Sequence, residues 1–167
     1  MTLVNGQDFP DALDMSPFSA KKTMPILFTD KDSLRTDTLQ SLKSWGIKNV
    51  IIAGGTGVVS EQVERQLQAL GINITRLAGQ DRYATGLEIL KYFRPDTGYK
   101  DIAIASGENF PDALTGAVLS SKLDIPLVIV SHAGASEDTI KYLSGDPINK
   151  AYIFGGSAVV DKGVVTN

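Results

Sequence analysis

The sequence predicts an α/β fold with mostly parallel sheets and helices on both faces, built as a tandem of two like modules. Three observations carry the prediction. Short apolar runs without alternation, PLVIV at residues 126–130 and NVIIA at residues 49–53, read as strands buried on both faces of a parallel sheet. These runs alternate with amphipathic helical stretches, the order expected of strand–helix–strand units. The chain also repeats itself: at an offset of 107 − 6 = 101, residues 6–66 match residues 107–167 at 19 of 61 positions without a gap. Phe9, Pro10, Asp11, Ala12 and Leu13 thereby pair with Phe110, Pro111, Asp112, Ala113 and Leu114, and Gly54 and Gly55 with Gly155 and Gly156.

Taken in order, residues 3–5 form a short strand, and residues 10–22 form a helix that Pro17 should bend or delay, because an interior proline costs about 3 kcal/mol. Residues 25–29 are the second strand. Residues 34–45 read as a helix with Leu34, Thr38, Leu39, Leu42 and Trp45 inward, stopped by Gly46. The third strand, residues 49–53, runs into GGTG, and a helix follows with Ser60 as cap, Val63, Leu67 and Leu70 inward, and Gly71 as stop. A fourth strand covers residues 72–77. Asp81 caps a helix that reaches Tyr92, with Tyr83, Leu87, Leu90 and Phe93 inward, and residues 94–100 form the linker. The series then restarts with a strand at residues 102–105. The helix after it holds Pro111 and Asp112 in its first turn and an inward stripe of Ala113, Val118, Leu119 and Leu123. By the offset, a helix like that of residues 61–70 should follow Val160, so the second module is expected to be unfinished at Asn167, and the first to lack its opening segment.

Composition narrows the function. A net charge of −3 and a pI near 5.1 argue against a nucleic-acid surface. Cysteine is absent, so there is neither a disulfide framework nor a thiolate site. No run of about 18 apolar residues offers a membrane span. The single histidine, His132, excludes a His-rich metal site and reads as an exposed loop residue.

Two motifs draw a binding interpretation. GGTG, after a strand and before a helix, is a candidate anion-binding turn through Gly54, Gly55 and Thr56, and its copy offers Gly155, Gly156 and Ser157. Without GxGxxG or a Walker lysine, a structural turn is the competing interpretation. RLAGQDRYATG, residues 76–86, occurs once and places Arg76, Arg82 and Tyr83 close together. Guanidinium beside an aromatic ring suits a phosphate or the edge and face of a sugar, while an arginine paired to Asp81 with Tyr83 in the core is the structural alternative. Asp11 and Asp112, each at a helix start, read as dipole partners with no catalytic assignment.

RLAGQDRYATGLEI, then IASGENFPDALTGAVLSSKLDIPLVIV, then AYIFGGSAVV resembles the cell wall binding repeat 2 module of clostridial and related Gram-positive surface proteins. VNGQDFPDAL through NVIIAGGTGVVS resembles the same module without its opening segment. The resemblance implies Toprim-like modules, a first at residues 1–75 and a second at residues 76–167, used in threes about a pseudo-threefold axis. It further implies a secreted, surface-located, non-enzymatic anchor without cofactor or metal, whose partners are an anionic cell-wall polysaccharide and neighbouring modules of the same or another chain, with Arg76, Arg82 and Tyr83 as the matching polymer-binding positions. A phosphate- or nucleotide-processing enzyme on a flavodoxin-like or Toprim-like scaffold, and a purely structural oligomerisation module, are the alternatives.

Overall fold

Seven strands and six α-helices alternate in the computed structural model, which describes residues 1–145, 148–157 and 160. In chain order these are β1 (Thr2–Asn5), α1 (Pro10–Lys21), β2 (Ile26–Thr29), α2 (Thr36–Ser44), β3 (Asn49–Ala53), α3 (Glu61–Ala69), β4 (Asn73–Leu77), α4 (Arg82–Thr97), β5 (Asp101–Ser106), α5 (Phe110–Leu123), β6 (Leu127–Val130), α6 (Glu137–Ser144) and β7 (Lys150–Phe154). They build a four-stranded sheet of order β2-β1-β3-β4 and a three-stranded sheet of order β6-β5-β7, and every strand pair in both is parallel. The sequence offset holds in three dimensions: adding 101 to the bounds of β2 gives 127–130, those of β6, and adding it to β3 gives 150–154, those of β7.

Alternation within a strand sends successive side chains to opposite faces, and this sorts the core. Leu3, Val50 and Ile52 of the first sheet pack with Leu42 of α2 and with Val63 and Leu67 of α3. Val4, Ala53 and Leu77 face the other way and join a second cluster that both sheets share. That cluster contains Met15 and Phe18 of α1, Leu87, Ile89, Leu90 and Phe93 of α4, and Ile102, Ile104, Val128 and Val130 of the second sheet. Helices α1 and α4 therefore lie in apolar contact with both sheets, and the rings of Phe18 and Phe93 stack between them with centroids 4.6 Å apart. A third cluster joins Ala103, Ala105 and Ile129 to Ala113 and Ala117 of α5 and receives Leu13 of α1.

Most elements fall within a residue or two of expectation, and the departures have physical causes. Helix α1 starts at Pro10 and runs through Pro17 without a break, with the proline ring itself buried. Packing of that turn against neighbouring elements outweighs the lost backbone bond. Helix α4 reaches Thr97 and contains Pro95, so the expected linker is largely helical; Gly98 in a left-handed conformation ends it, donating to Arg94 O at 3.0 Å. Trp45, expected inward, is the exposed cap after α2. Helix α5 is turned from its expected orientation. Its small residues Ala113, Gly116, Ala117 and Ser120 face inward, while Val118 and Leu123 are exposed. A Cβ on Gly116 would lie 3.0 Å from Leu127 Cδ1, so close approach to the sheet selects the small side. The expected module boundary at 75/76 falls inside β4, which completes the first sheet beside β3. The helix expected after Val160 lies outside the described residues.

Phe18→Ala is expected to cost about 3–5 kcal/mol, because it opens a cavity in the cluster both sheets share. Urea unfolding followed by circular dichroism measures the loss, and a cost below about 1 kcal/mol would contradict the shared core.

Candidate functional site

Parallel sheets present their loops and helix starts at the carboxyl ends of the strands, and ligands of such folds bind where the strand order reverses. The two reversals here lie between β1 and β3 and between β5 and β7. At the first, Asn5 Nδ2 donates to Val58 O at 2.6 Å and Asn5 Oδ1 accepts from Gln7 N at 2.6 Å, closing the loops onto each other. The GGTG turn follows β3. Gly54 has φ +118°, and a Cβ there would meet Asp11 Oδ2 and Val58 Cγ2, both at 2.7 Å, so glycine is required for conformation and for space. In the second copy Gly155 has φ +121°, and Val160 N bonds to Gly156 O at 3.0 Å as Val59 N does to Gly55 O. The two turns thus share one backbone form. Burial, with Asp8 beside it, pushes the Asp11 carboxyl up to about 6 despite the opposing Arg82. At neutral pH it is still mostly ionised, and its charge against Gly54 opposes an anion in the first turn.

The residues singled out in RLAGQDRYATG separate into two places. Arg76, on β4, donates from Nε to Glu64 Oε1 at 2.7 Å and from Nη1 to Gly54 O at 2.6 Å. Its guanidinium is mostly buried and ties the GGTG turn to β4 and α3. Arg82 and Tyr83 sit instead at the start of α4, against the second sheet. Asp81 caps that helix by accepting from Ala84 N at 2.8 Å, so it is not the ion partner of Arg82. Arg82 donates from Nη1 to Gly107 O at 2.7 Å, places Nη2 3.5 Å from Asp8 Oδ2, and stands 5.8 Å from the centre of the Phe9 ring. Tyr83 lies over the same turn: a Cβ on Gly107 would meet Tyr83 Cε1 at 2.8 Å. Burial, then the neighbouring Glu108 carboxylate, pushes the Tyr83 hydroxyl up. Each arginine therefore grips the carbonyl of a glycine at a strand end, one in each sheet.

Two features of this surface are missing from the sequence reading. Phe9 and Phe110, the first residues of the two FPDAL copies, meet edge to face with centroids 6.2 Å apart, and Phe110 stays exposed beside Arg82's ring contact. The repeated aromatic was the available signal. Asp14, on α1, is buried beside α4, and its position within an apolar helix stretch gave no separate mark. Its copy in the second module is Thr115. His132 is exposed, as expected, with its backbone N–H on Glu108 Oε1 at 3.0 Å.

Residues 1–64 and 76–165 each match the family described as Cell wall binding domain 2 (CWB2). The chain belongs to the CWB2 family. Among curated relatives it is 29% identical to the N-acetylmuramoyl-L-alanine amidase LytC of Bacillus subtilis (strain 168), over 97% of this chain and 32% of that protein. It is 31% identical to the amidase enhancer of the same organism, over 76% of this chain and 17% of that one. Among solved structures it superposes on Cwp6 from Clostridium difficile with a TM-score of 0.91 at 28% identity, covering 99% of this chain and 26% of Cwp6. Cwp8 from the same organism gives 0.84 at 27% identity over 98% and 28%. The chain spans about a third or less of each of these proteins. CWB2 membership makes it a cell wall binding domain, located at the cell wall, and the α/β parallel-sheet fold is that of its CWB2 neighbours.

The different settings of the two arginines give a contrast to measure. Arg76→Ala leaves Glu64 and the Gly54 carbonyl without their buried partner and is expected to cost about 2–4 kcal/mol in denaturant unfolding. Arg82→Ala removes a half-exposed group and is expected to cost about 1 kcal/mol. Equal costs would contradict these placements.

Proposed function

We propose that this chain anchors a larger secreted protein to the wall noncovalently by binding an anionic wall polysaccharide, and that it performs no chemistry itself. The match of both copies to a wall-binding family is the observation that carries this. In this reading residues 1–75 and 76–167 are two repeats of one binding unit, with β4 running across the boundary because it completes the first sheet. The polymer contact runs along the seam between them, where Arg82, Tyr83, Phe9 and Phe110 present a guanidinium beside aromatic rings. Arg82 supplies the charge, and the rings supply the apolar faces on which a pyranose stacks. Arg76 stands behind the seam as a support for the GGTG turn, and the Gly155–Gly156–Ser157 turn remains a candidate for a phosphate or carboxylate of the polymer. Individually weak contacts gain strength when linked repeats engage one polymer chain, through effective concentration.

The way α1 meets α5 supports assembly of further repeats. Leu13 of α1 packs on Ala113 and Ala117, Pro17 lies beside Ile125 and Pro126, and Lys21 pairs with Asp124 at 3.7 Å. The offset carries this edge, Phe9, Leu13 and Pro17, onto Phe110, Leu114 and Val118 of α5, which are 56%, 48% and 65% exposed. One helix thus uses its stripe and its copy leaves it open. Such an interface joins unlike surfaces head to tail and closes only as a ring. A further repeat, in the same or another chain, seated on this stripe would build the threefold set.

Retention on purified walls, with and without their anionic polymer, tests the anchor: binding is expected to require the polymer, and equal retention on stripped walls would refute the reading. Arg82→Ala and Phe110→Ala are each expected to weaken retention about five- to tenfold, near 1 kcal/mol apiece, while Val118→Glu is expected to abolish concentration-dependent association in sedimentation.

A further inference from the structure

Three acidic side chains stand at helical spacing on the side toward α4, Asp11 and Asp14 on α1 and Asp8 in the loop just before it. Asp14 is only 1% exposed, and neither carboxyl oxygen has a hydrogen-bond partner among the described residues. It lies against α4 at Gly86, where a Cβ would come within 2.6 Å of Asp14 Oδ2. The contact joins α1, which follows a strand of the first sheet, to α4, which leads into the second. Its neighbours give it little compensation. On its own helix Asp11 repels it, and Asp11 in turn feels Asp8 and is relieved only by Arg82 at the start of α4. From α4 the facing residue is Gly86; near Asp14, α5 and β6 meet α1 through apolar side chains, Ala113 and Ala117 with Leu13, and Val128 and Val130 with Met15 and Phe18, while the Lys21–Asp124 ion pair lies about two turns further along α1. An ionised carboxylate in such a place has lost its hydration and gained nothing in exchange.

We propose that the α1–α4 seam is a proton-operated latch, closed while Asp14 holds a proton and loosened when Asp11 and Asp14 are both charged. The direction follows from the geometry, and burial acting on both carboxyls agrees with it. Burial first, then Asp11, holds the Asp14 carboxyl well above the ordinary carboxylate range, and Asp11 is pushed from 3.8 to about 6. A carboxyl that binds its proton more tightly in the folded chain stabilises the fold below its unfolded value, and that contribution is lost as pH rises through the folded value. For Asp11 the window runs from 3.8 to about 6 and is worth about a hundredfold in the unfolding equilibrium. Asp14 extends the loss to higher pH. The latch makes the relative placement of the two repeats respond to acidity.

Urea unfolding of the chain and of its Asp14→Asn variant at pH 4.5, 6 and 7.5 tests the latch. The wild type is expected to lose stability steadily across this series. The variant, which cannot ionise, is expected to be more stable than the wild type at pH 7.5 and to show a flatter profile. Parallel profiles for the two proteins would overturn the proposal. Because a substitution at a buried position can disturb folding, amide hydrogen exchange of the unaltered chain supplies an independent reading. After correction for intrinsic rates, amides of α1 and α4 are expected to exchange at least tenfold faster at pH 7.5 than at pH 5, with β3 and α3 unchanged; uniform behaviour across the chain would equally overturn it.

Discussion

Burial of α1 and α4 against both parallel sheets is the constraint on which the rest of this structure depends. A single apolar cluster draws side chains from the first sheet, the second sheet and both helices, so neither sheet has a complete core without the other. Apolar burial is non-directional and sums over area, which makes a shared cluster of this kind cooperative. The Phe18–Phe93 stack adds a geometric preference that fixes how the helices lie against one another. Two repeats held in this way share one core, and the packing of α1 against α4 sets the surface along their junction.

The two arginines show how a motif that reads as ligand-binding also organises the fold. Arg76 and Arg82 each satisfy the carbonyl of a glycine that follows a strand, and those glycines are in positions where a side chain would collide with its surroundings. A guanidinium presents several donors in a rigid fork, so one edge can hold the backbone while another remains available. For Arg82, partly exposed and bracketed by Asp8 and an aromatic ring, the second edge faces the junction surface. For Arg76 two donors hold Glu64 and Gly54 beside the first sheet, and Nη2 is buried with no hydrogen-bond partner among the described residues.

Much of the architecture was legible because its determinants are local or periodic. The unalternating strands, the caps at Ser60 and Asp81, and the stops at Gly46 and Gly71 follow from short stretches of chain, and the offset of 101 extends the strands β2 and β3 to the second copy as β6 and β7. What was illegible depends on distant partners. Hydropathy alone places Val118 and Leu123 inward on α5, whereas the actual choice is made by the closeness of the sheet, which admits Ala113, Gly116 and Ala117. Pro17 and Pro95 look like breaks, yet each lies within a helix. At the candidate site, the residues of RLAGQDRYATG could be named but not divided between two sheets. The meeting of Phe9 with Phe110 required the juxtaposition of sequences 101 positions apart.

The two turns that share one backbone form also record which glycines the chain can spare. Gly54 and its copy Gly155 have φ +118° and +121°, where a side chain is strained. Gly57, with open space where a Cβ would stand, is Ala158 in the second copy. Drift between the duplicated halves has run where the backbone tolerates a side chain and halted where it does not.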